Sequence, residues 1–209
     1  MRRFIDISPT VSSKLAVFPG DQPYSRRISL DMKRGDHLSL SAISATVHLG
    51  AHTDAPNHYA KTGEGIDTRD LALYYGPCQV FEVSVPRGRR IRVRDLRGAV
   101  HAPRVLFKTG SFPDPNHWNA DFNSLSAELI DHLVTQGVCL VGIDTPSVDP
   151  ADDKELESHQ AIARHDMAIL EGIVLEHVPP ATYTLIALPL KLENADASPV
   201  RAVLLSEEP

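Results

Sequence analysis

Cysteine is scarce: the 209-residue chain has only Cys78 and Cys139. They form no CxxC pair and no even framework, which excludes a disulfide scaffold; both read as reduced, mostly buried thiols of a cytoplasmic protein. Long apolar runs are also lacking. The longest, at 138–143 and 185–190, fall far short of the ~20 residues that a membrane-spanning helix needs. The start, MRRFIDISPT, is basic but has no apolar stretch behind it, which argues against a secretory signal. Positive charge is in deficit, with 21 Lys+Arg against 27 Asp+Glu and a formal net charge of −6. A nucleic-acid partner would need a basic footprint instead. The one arginine-rich piece, 87–97, has no flanking aromatics and reads as a solvated strand-and-turn face. No GxGxxG or GxxxxGK[ST] loop is present to cradle phosphates. No GxSxG elbow is present either, so the sequence offers no serine nucleophile of the α/β-hydrolase kind.

What remains is ordinary globular material: 42% hydrophobic and 23% charged residues. A chain of this size hides roughly 70% of its unfolded surface on folding, enough for one core. One domain over 1–209 is expected. Strands are predicted at 4–8, 26–32, 37–49, 79–85, 104–110, 138–144, 173–178, 183–192 and 200–206, where branched and aromatic residues are bounded by Gly or Pro. The best helix is 125–136, with Leu125, Leu129, Ile130, Leu133 and Val134 on one stripe, Ser124 or Ser126 as cap and Gly137 as stop. Shorter helices are predicted at 158–167 and 93–99. Many strands, two or three helices and no strict βαβ alternation predict an α+β fold with a mixed sheet. Residues 113–119, PDPNHWN, are the clearest loop.

Ten histidines are present, and they are unevenly placed. The segment HLGAHTDAPNH (48–58) holds His48, His52, Asp54 and His58. Neutral imidazole and carboxylate suit Zn²⁺ or Mn²⁺. His48 and His52 lie four apart, a spacing that fits one side of a helical turn; with Gly50 between them and Pro56 after them, a tight loop serves as well. Asp54 could give one oxygen to each of two metals. Three ligands leave a metal unsaturated, and the stretch 157–176 offers His159, His165, Asp166 and Glu171. Spacing alone does not choose among these, and His165 with Asp166 could equally be a surface pair. Asp144, after an apolar strand, either orients a ligand histidine or makes an Asx-type turn. Trp118 either lines a pocket or anchors the surface.

The run HLGAHTDAPNH resembles the HxGTHxDxPxH signature of the cyclase family of metal-dependent hydrolases, most closely its kynurenine formamidase branch. Segments 4–21, 142–150 and 158–176 carry the resemblance along nearly the whole chain. Ala51 stands where the wider family often has Thr; it carries no ligand atom. The resemblance implies a swivelling β/α/β architecture and two Zn²⁺ per subunit, with Mn²⁺ or another divalent cation as a substitute. His48 and His52 would hold the first metal, Asp54 would bridge, and His159 and Glu171 would complete the second. His58 would stay off the metals as proton shuttle. Phe18 falls where the family sets an aromatic residue against the substrate ring, although plain packing is an equal reading of it. The implied reaction is hydrolysis of N-formyl-L-kynurenine to L-kynurenine and formate, in tryptophan degradation, by hydroxide that the metals make available. A homodimer whose partner loops close the pocket is implied too. The alternatives are another aryl amide or an isatin-type lactam as substrate, or a metal-binding protein without turnover.

Overall fold

The computed structural model describes residues 2–207. Among these the chain runs β1 (Arg2–Asp6), β2 (Ser25–Leu30), β3 (Leu40–Ser44), β4 (His52–Asp54), α1 (Pro56–Tyr59), β5 (Tyr75–Glu82), β6 (Arg90–Ile91), β7 (Arg104–Lys108), β8 (Ser124–Leu125), α2 (Ala127–Thr135), β9 (Leu140–Ile143), α3 (Glu157–Arg164), β10 (Ala168–Leu170), β11 (Thr182–Ile186), β12 (Ala197–Pro199) and β13 (Val203–Glu207). Seven strands form one mixed sheet in the order β1-β13-β11-β5-β7-β9-β10. The β1 side is antiparallel, and β5, β7, β9 and β10 are parallel. This is the α+β class expected from the strand-heavy element order.

The parallel strands read as continuous apolar runs because both of their faces are covered. Side chains alternate between faces with period two. Val80, Leu106, Leu140 and Leu170 join one core with Ile7, Leu185 and Leu204. Phe81, Val105, Phe107, Val141 and Ile169 join the other, under α2 and α3. Helix α2 begins where Ser126 Oγ accepts from Leu129 N (3.2 Å), and it turns Leu129, Ile130 and Leu133 into that core. Gly142 is required by packing: a Cβ there would lie 2.4 Å from Leu106 Cδ2.

Several predicted elements are shorter than expected. Of 37–49 only Leu40–Ser44 is a strand, and in place of 183–192 the strand is Thr182–Ile186, ending ahead of Pro189. Residues 93–99 reduce to a 3-10 turn at Val93–Asp95. The predicted strand 173–178 is irregular. Gly172, at φ +64°, turns the chain away from the sheet just after β10, and Ile173, Leu175 and Val178 are buried as a loop. Ile173, Leu175 and Val178 report burial there, not pairing.

The carboxyl ends of the parallel strands lead directly to Lys108, Asp144 and Glu171, all of which line one cleft of about 580 Å³. This is the place where open α/β-type sheets receive ligands. Outside the main sheet, β2 and β3 form a two-stranded hairpin, and Ile28, Met32, Leu40 and Ile43 on it are exposed.

Candidate metal centre

Strand β4 is only three residues long and wholly buried. It pairs with β12 on one side. On the other it makes a bridge to Glu171, with His52 N donating to Glu171 O (3.1 Å) and Glu171 N to His52 O (2.9 Å). Within β4, period two sends His52 and Asp54 to one face and Thr53 to the other. Thr53 Oγ1 donates to Ile169 O (2.6 Å). The His52–Asp54 pair is therefore set by strand geometry. The turn preceding it is set by Gly50, at φ +60°. Gly172 packs directly against that turn, where a Cβ would lie 2.1 Å from Gly50 O.

Five side chains predicted as ligands converge here. Asp54 Oδ1 lies 3.0 Å from His48 Nδ1 and 3.4 Å from His52 Nε2. Asp54 Oδ2 lies 3.4 Å from His159 Nε2. Glu171 lies 3.3 Å from His52 Nε2 and 3.8 Å from His159 Nε2. Asp54 thus stands in the middle, one oxygen toward each side. The donor atoms fall into two sets, His52, Asp54 and Glu171, and His48, Asp54 and His58. His52 therefore sits with Glu171 as closely as with Asp54, a different grouping from the His48 and His52 pair implied by the resemblance.

Each imidazole has its outer nitrogen occupied. His52 Nδ1 is 2.9 Å from Gly50 O, His48 Nε2 is 2.9 Å from Asp196 Oδ2, and His159 Nδ1 is 2.7 Å from Asp149 Oδ2. With the outer N–H donated in each case, the inner nitrogen is the one turned to the centre, where a bound cation would take the place of its proton. His52 Nε2 and both Asp54 oxygens are buried without a hydrogen-bond partner. Buried polar atoms left in this way are costly unless something compensates them. Burial opposes charge on His52 and His159, yet the facing carboxylates outweigh it and push both up to about 10. Burial also opposes charge on Asp54, and the three histidines overcome it and hold its carboxyl well below the usual range. The cluster calls for positive charge at its middle. Imidazole nitrogens and carboxylate oxygens around that point fit a divalent metal cation.

His58 stands on α1, whose first residue, Pro56, suits the opening turn of a helix. Its ring is 4.3 Å from that of His48 and 5.9 Å from that of His159, and 35% of its side chain is exposed to the cleft. Burial, with His48 and His159 nearby, lowers its pKa despite Asp54 and Glu171.

The chain matches the family described as putative cyclase over residues 5–150. It is 42% identical over 206 residues to a kynurenine formamidase of Bordetella petrii and 44% identical to one of Bordetella pertussis, covering 98% of each chain in both cases. The chain belongs to the cyclase family. Among solved structures, a potential metal-dependent hydrolase with cyclase activity superposes with TM-score 0.85 at 25% identity, each chain covered in full. Isatin hydrolase A from Labrenzia aggregata shares the fold, with TM-score 0.84 at 21% identity over 99% of this chain and 94% of that one.

In this cyclase-family chain, three contributors escaped sequence reasoning. Asp149 receives His159 and is itself held by Arg90 Nη1 (2.5 Å), Ser158 N and His159 N. Arg90 comes from the arginine-rich piece read as solvated; its side chain is only 20% exposed and also pairs with Asp153. The one available signal was Asp149 itself, an acid ahead of the helix bearing His159. Asp196, on the loop before β12, gave no signal. Asp144 neither touches a ligand histidine nor caps its own turn; it accepts from the Thr109–Gly110 backbone. His165 and Asp166 face away, paired with Asp131 and Arg69.

Phe18 and Trp118 meet edge to face at 4.8 Å, and Phe112 joins them at 6.0 Å from Trp118. All three line the cleft. The cleft thus has a polar floor and an aromatic wall.

Proposed function

We propose that the chain hydrolyses the N-formyl amide of N-formyl-L-kynurenine to L-kynurenine and formate, a step of tryptophan degradation, using two Zn²⁺ per subunit or Mn²⁺ in their place. One observation carries the reading: the unpaired atoms of His52 and Asp54, ringed by His48, His159 and Glu171, form the floor of a cleft walled by Phe18, Phe112 and Trp118. The similarity to kynurenine formamidases over 98% of the chain supports the choice of substrate.

His48, His52, Asp54, His159 and Glu171 would hold the divalent cations, which when bound would lower the pKa of water toward neutrality and offer a counter-charge for the formyl oxygen. His58 faces the same space from α1. It takes the proton that the attacking water loses and hands it to the aniline nitrogen as the C–N bond breaks, leaving formate and a free aryl amine. A proton carrier of this kind contributes typically about 10²–10⁴-fold in rate. Phe18 holds the aryl ring.

We extend the proposal to the assembly: one domain over 1–209, working as a homodimer in the cytoplasm. The hairpin β2–β3 supports the dimer. A two-stranded hairpin standing alone is marginal in water, and this one presents Ile28, Leu40 and Ile43 to solvent. A second copy would cover them. Free Cys78 and Cys139 accord with a reducing compartment.

The test combines elemental analysis with formate release from N-formyl-L-kynurenine, before and after chelation. Bound Zn or Mn, with formate release lost on chelation and restored by the metal, is expected. Metal-free protein that is fully active would overturn the reading. Opening of isatin in place of formate release would move the substrate to a lactam.

A further inference from the structure

The aromatic wall is not held by packing alone. Ser111 precedes Phe112, Asn119 follows Trp118, and Asn123 follows Phe122. Each of these polar neighbours belongs to one hydrogen-bond chain. Asn123 N donates to Ser111 Oγ (2.8 Å). Ser111 Oγ and Thr109 Oγ1 are 2.8 Å apart. Thr109 Oγ1 donates to Asp144 Oδ1 (2.6 Å). Thr109 N and Gly110 N add bonds of 2.9 Å each to Asp144 Oδ2, and Asn119 Nδ2 donates to Ser111 O (3.1 Å). The Thr109 hydroxyl proton is spent on Asp144, so the Ser111 hydroxyl must donate to Thr109. The chain therefore runs one way, from Asn123 to the Asp144 carboxylate, which only accepts.

We propose that Asp144 is a positioning residue: through this chain it sets the aromatic wall and so governs the selection of planar aryl amides, without acting on the bond that breaks. The inference rests on the amide-hydrolase reading and deepens it by naming what selects the substrate class. Asp144 is buried, as are Ser111 and Asn123, so water does not replace a lost bond cheaply. Gly110, at φ +63°, turns the chain just after the Thr109 and Gly110 N–H groups, and Ser111 N donates back to Thr109 Oγ1 (3.1 Å). Only Phe18 comes from another loop, and it is tied in where Ala16 N donates to Pro115 O (2.9 Å).

An amide at 144 cannot satisfy this arrangement in either orientation. With its oxygen toward Gly110 N, its NH₂ faces the Thr109 hydroxyl; the chain reverses, and the Ser111 hydroxyl ends against the Asn123 N–H. With the amide flipped, the NH₂ opposes the Gly110 N–H directly. Asp144→Asn thus breaks the chain at nearly constant volume.

The experiment compares the metal-loaded wild type with Asp144→Asn and Ser111→Ala. The amides are formanilide and N-formylcyclohexylamine, and formate release is measured. Trp118 is the only tryptophan, so intrinsic emission reports the wall. Asp144→Asn is expected to raise KM for formanilide about tenfold, the scale of a lost aromatic contact, while kcat stays within about twofold. KM for the saturated amide and the bound metal stay as in wild type, and Trp118 emission shifts to the red. A fall in kcat with KM kept would place Asp144 on the reaction itself and overturn the proposal. An equal rise in KM for both amides, or unmoved Trp118 emission, would overturn it too. Should Asp144→Asn fail to fold, Ser111→Ala cuts one link and leaves the Asp144 bonds to the loop backbone. It must change KM and emission in the same direction, and no change overturns the proposal. If the wild type hydrolyses neither amide, formate release from N-formyl-L-kynurenine decides the proposed reaction on its own, and quenching of Trp118 by formanilide still reads the wall. Quenching weakened by Asp144→Asn supports the proposal, and equal quenching sinks it.

Discussion

His52 and Glu171 are joined twice, by reciprocal backbone bonds of 3.1 and 2.9 Å and by side chains whose Nε2 and Oε2 stand 3.3 Å apart. Residues 119 positions apart in sequence are thereby locked as neighbours before any ion arrives. The backbone contact sets the side-chain contact, which makes the centre a property of strand pairing as much as of ligand chemistry.

Gly172→Ala tests that dependence. Its Cβ would fall 2.1 Å from Gly50 O at φ +64°. The backbone cost alone is about 1–3 kcal/mol for a non-glycine residue in the left-handed region. Thermal and urea unfolding should show at least that loss, and metal content should fall with it. Wild-type stability and full metal occupancy would show that the Gly50–Gly172 contact is not needed.

Removing the His58 ring should separate chemistry from metal binding. His58→Ala is expected to keep the metal content of the wild type while formate release falls about 10²–10⁴-fold. Loss of metal together with activity would make His58 a ligand, as its place in the set with His48 and Asp54 allows.

Asp149→Asn should weaken the metal through His159. The carboxylate accepts from His159 Nδ1 at 2.7 Å and is anchored by Arg90. Loss of such an orienting partner typically costs about 10–100-fold in metal affinity. Competition with a chromogenic chelator measures it; an unchanged dissociation constant would leave Asp149 a purely structural residue.

Acid titration should expose the pair between Asp6 and Arg201. Three contacts at 2.5–3.0 Å hold the Asp6 carboxyl below its ordinary value, chiefly through the Arg201 hydrogen bond. A carboxyl whose pKa is lower folded than unfolded stabilises above the unfolded value and loses that contribution as pH falls through the folded one. Asp6 is 42% exposed on its side chain, so solvent screening keeps the effect small. Asp6→Asn should cost less than about 1 kcal/mol at neutral pH, and its gap from the wild type should narrow below about pH 3.9. Urea unfolding across that range checks it, and a gap that widens on acidification contradicts it.

Much of the fold was legible in the sequence where burial and pattern coincide. The runs around Val105 and Val141 are apolar on both faces because helices and loops cover both, and α2 showed itself by its stripe and its serine cap. The segment 48–58 drew attention through residue type alone, and its His48, His52, Asp54 and His58 do come together. Its geometry did not follow from spacing: His52 and Asp54 share a face because β4 is a strand, and that strand exists only through pairing with β12 and Glu171. Asp196 and Arg90 were invisible for a related reason. A surface-type residue becomes part of a site only when distant chain segments fold over it. Residues 173–178 misled in the opposite sense, since an apolar run signals burial without saying whether the backbone is paired.

The division between floor and wall has a practical consequence. In the floor, His52, Asp54 and Glu171 ride on paired backbone that tolerates little change. The ring-facing side chains ride on two loops, 12–21 and 110–123, joined by the single bond from Ala16 to Pro115. An engineer could graft new loops onto this frame to admit different leaving groups, keeping the same reactive machinery beneath them.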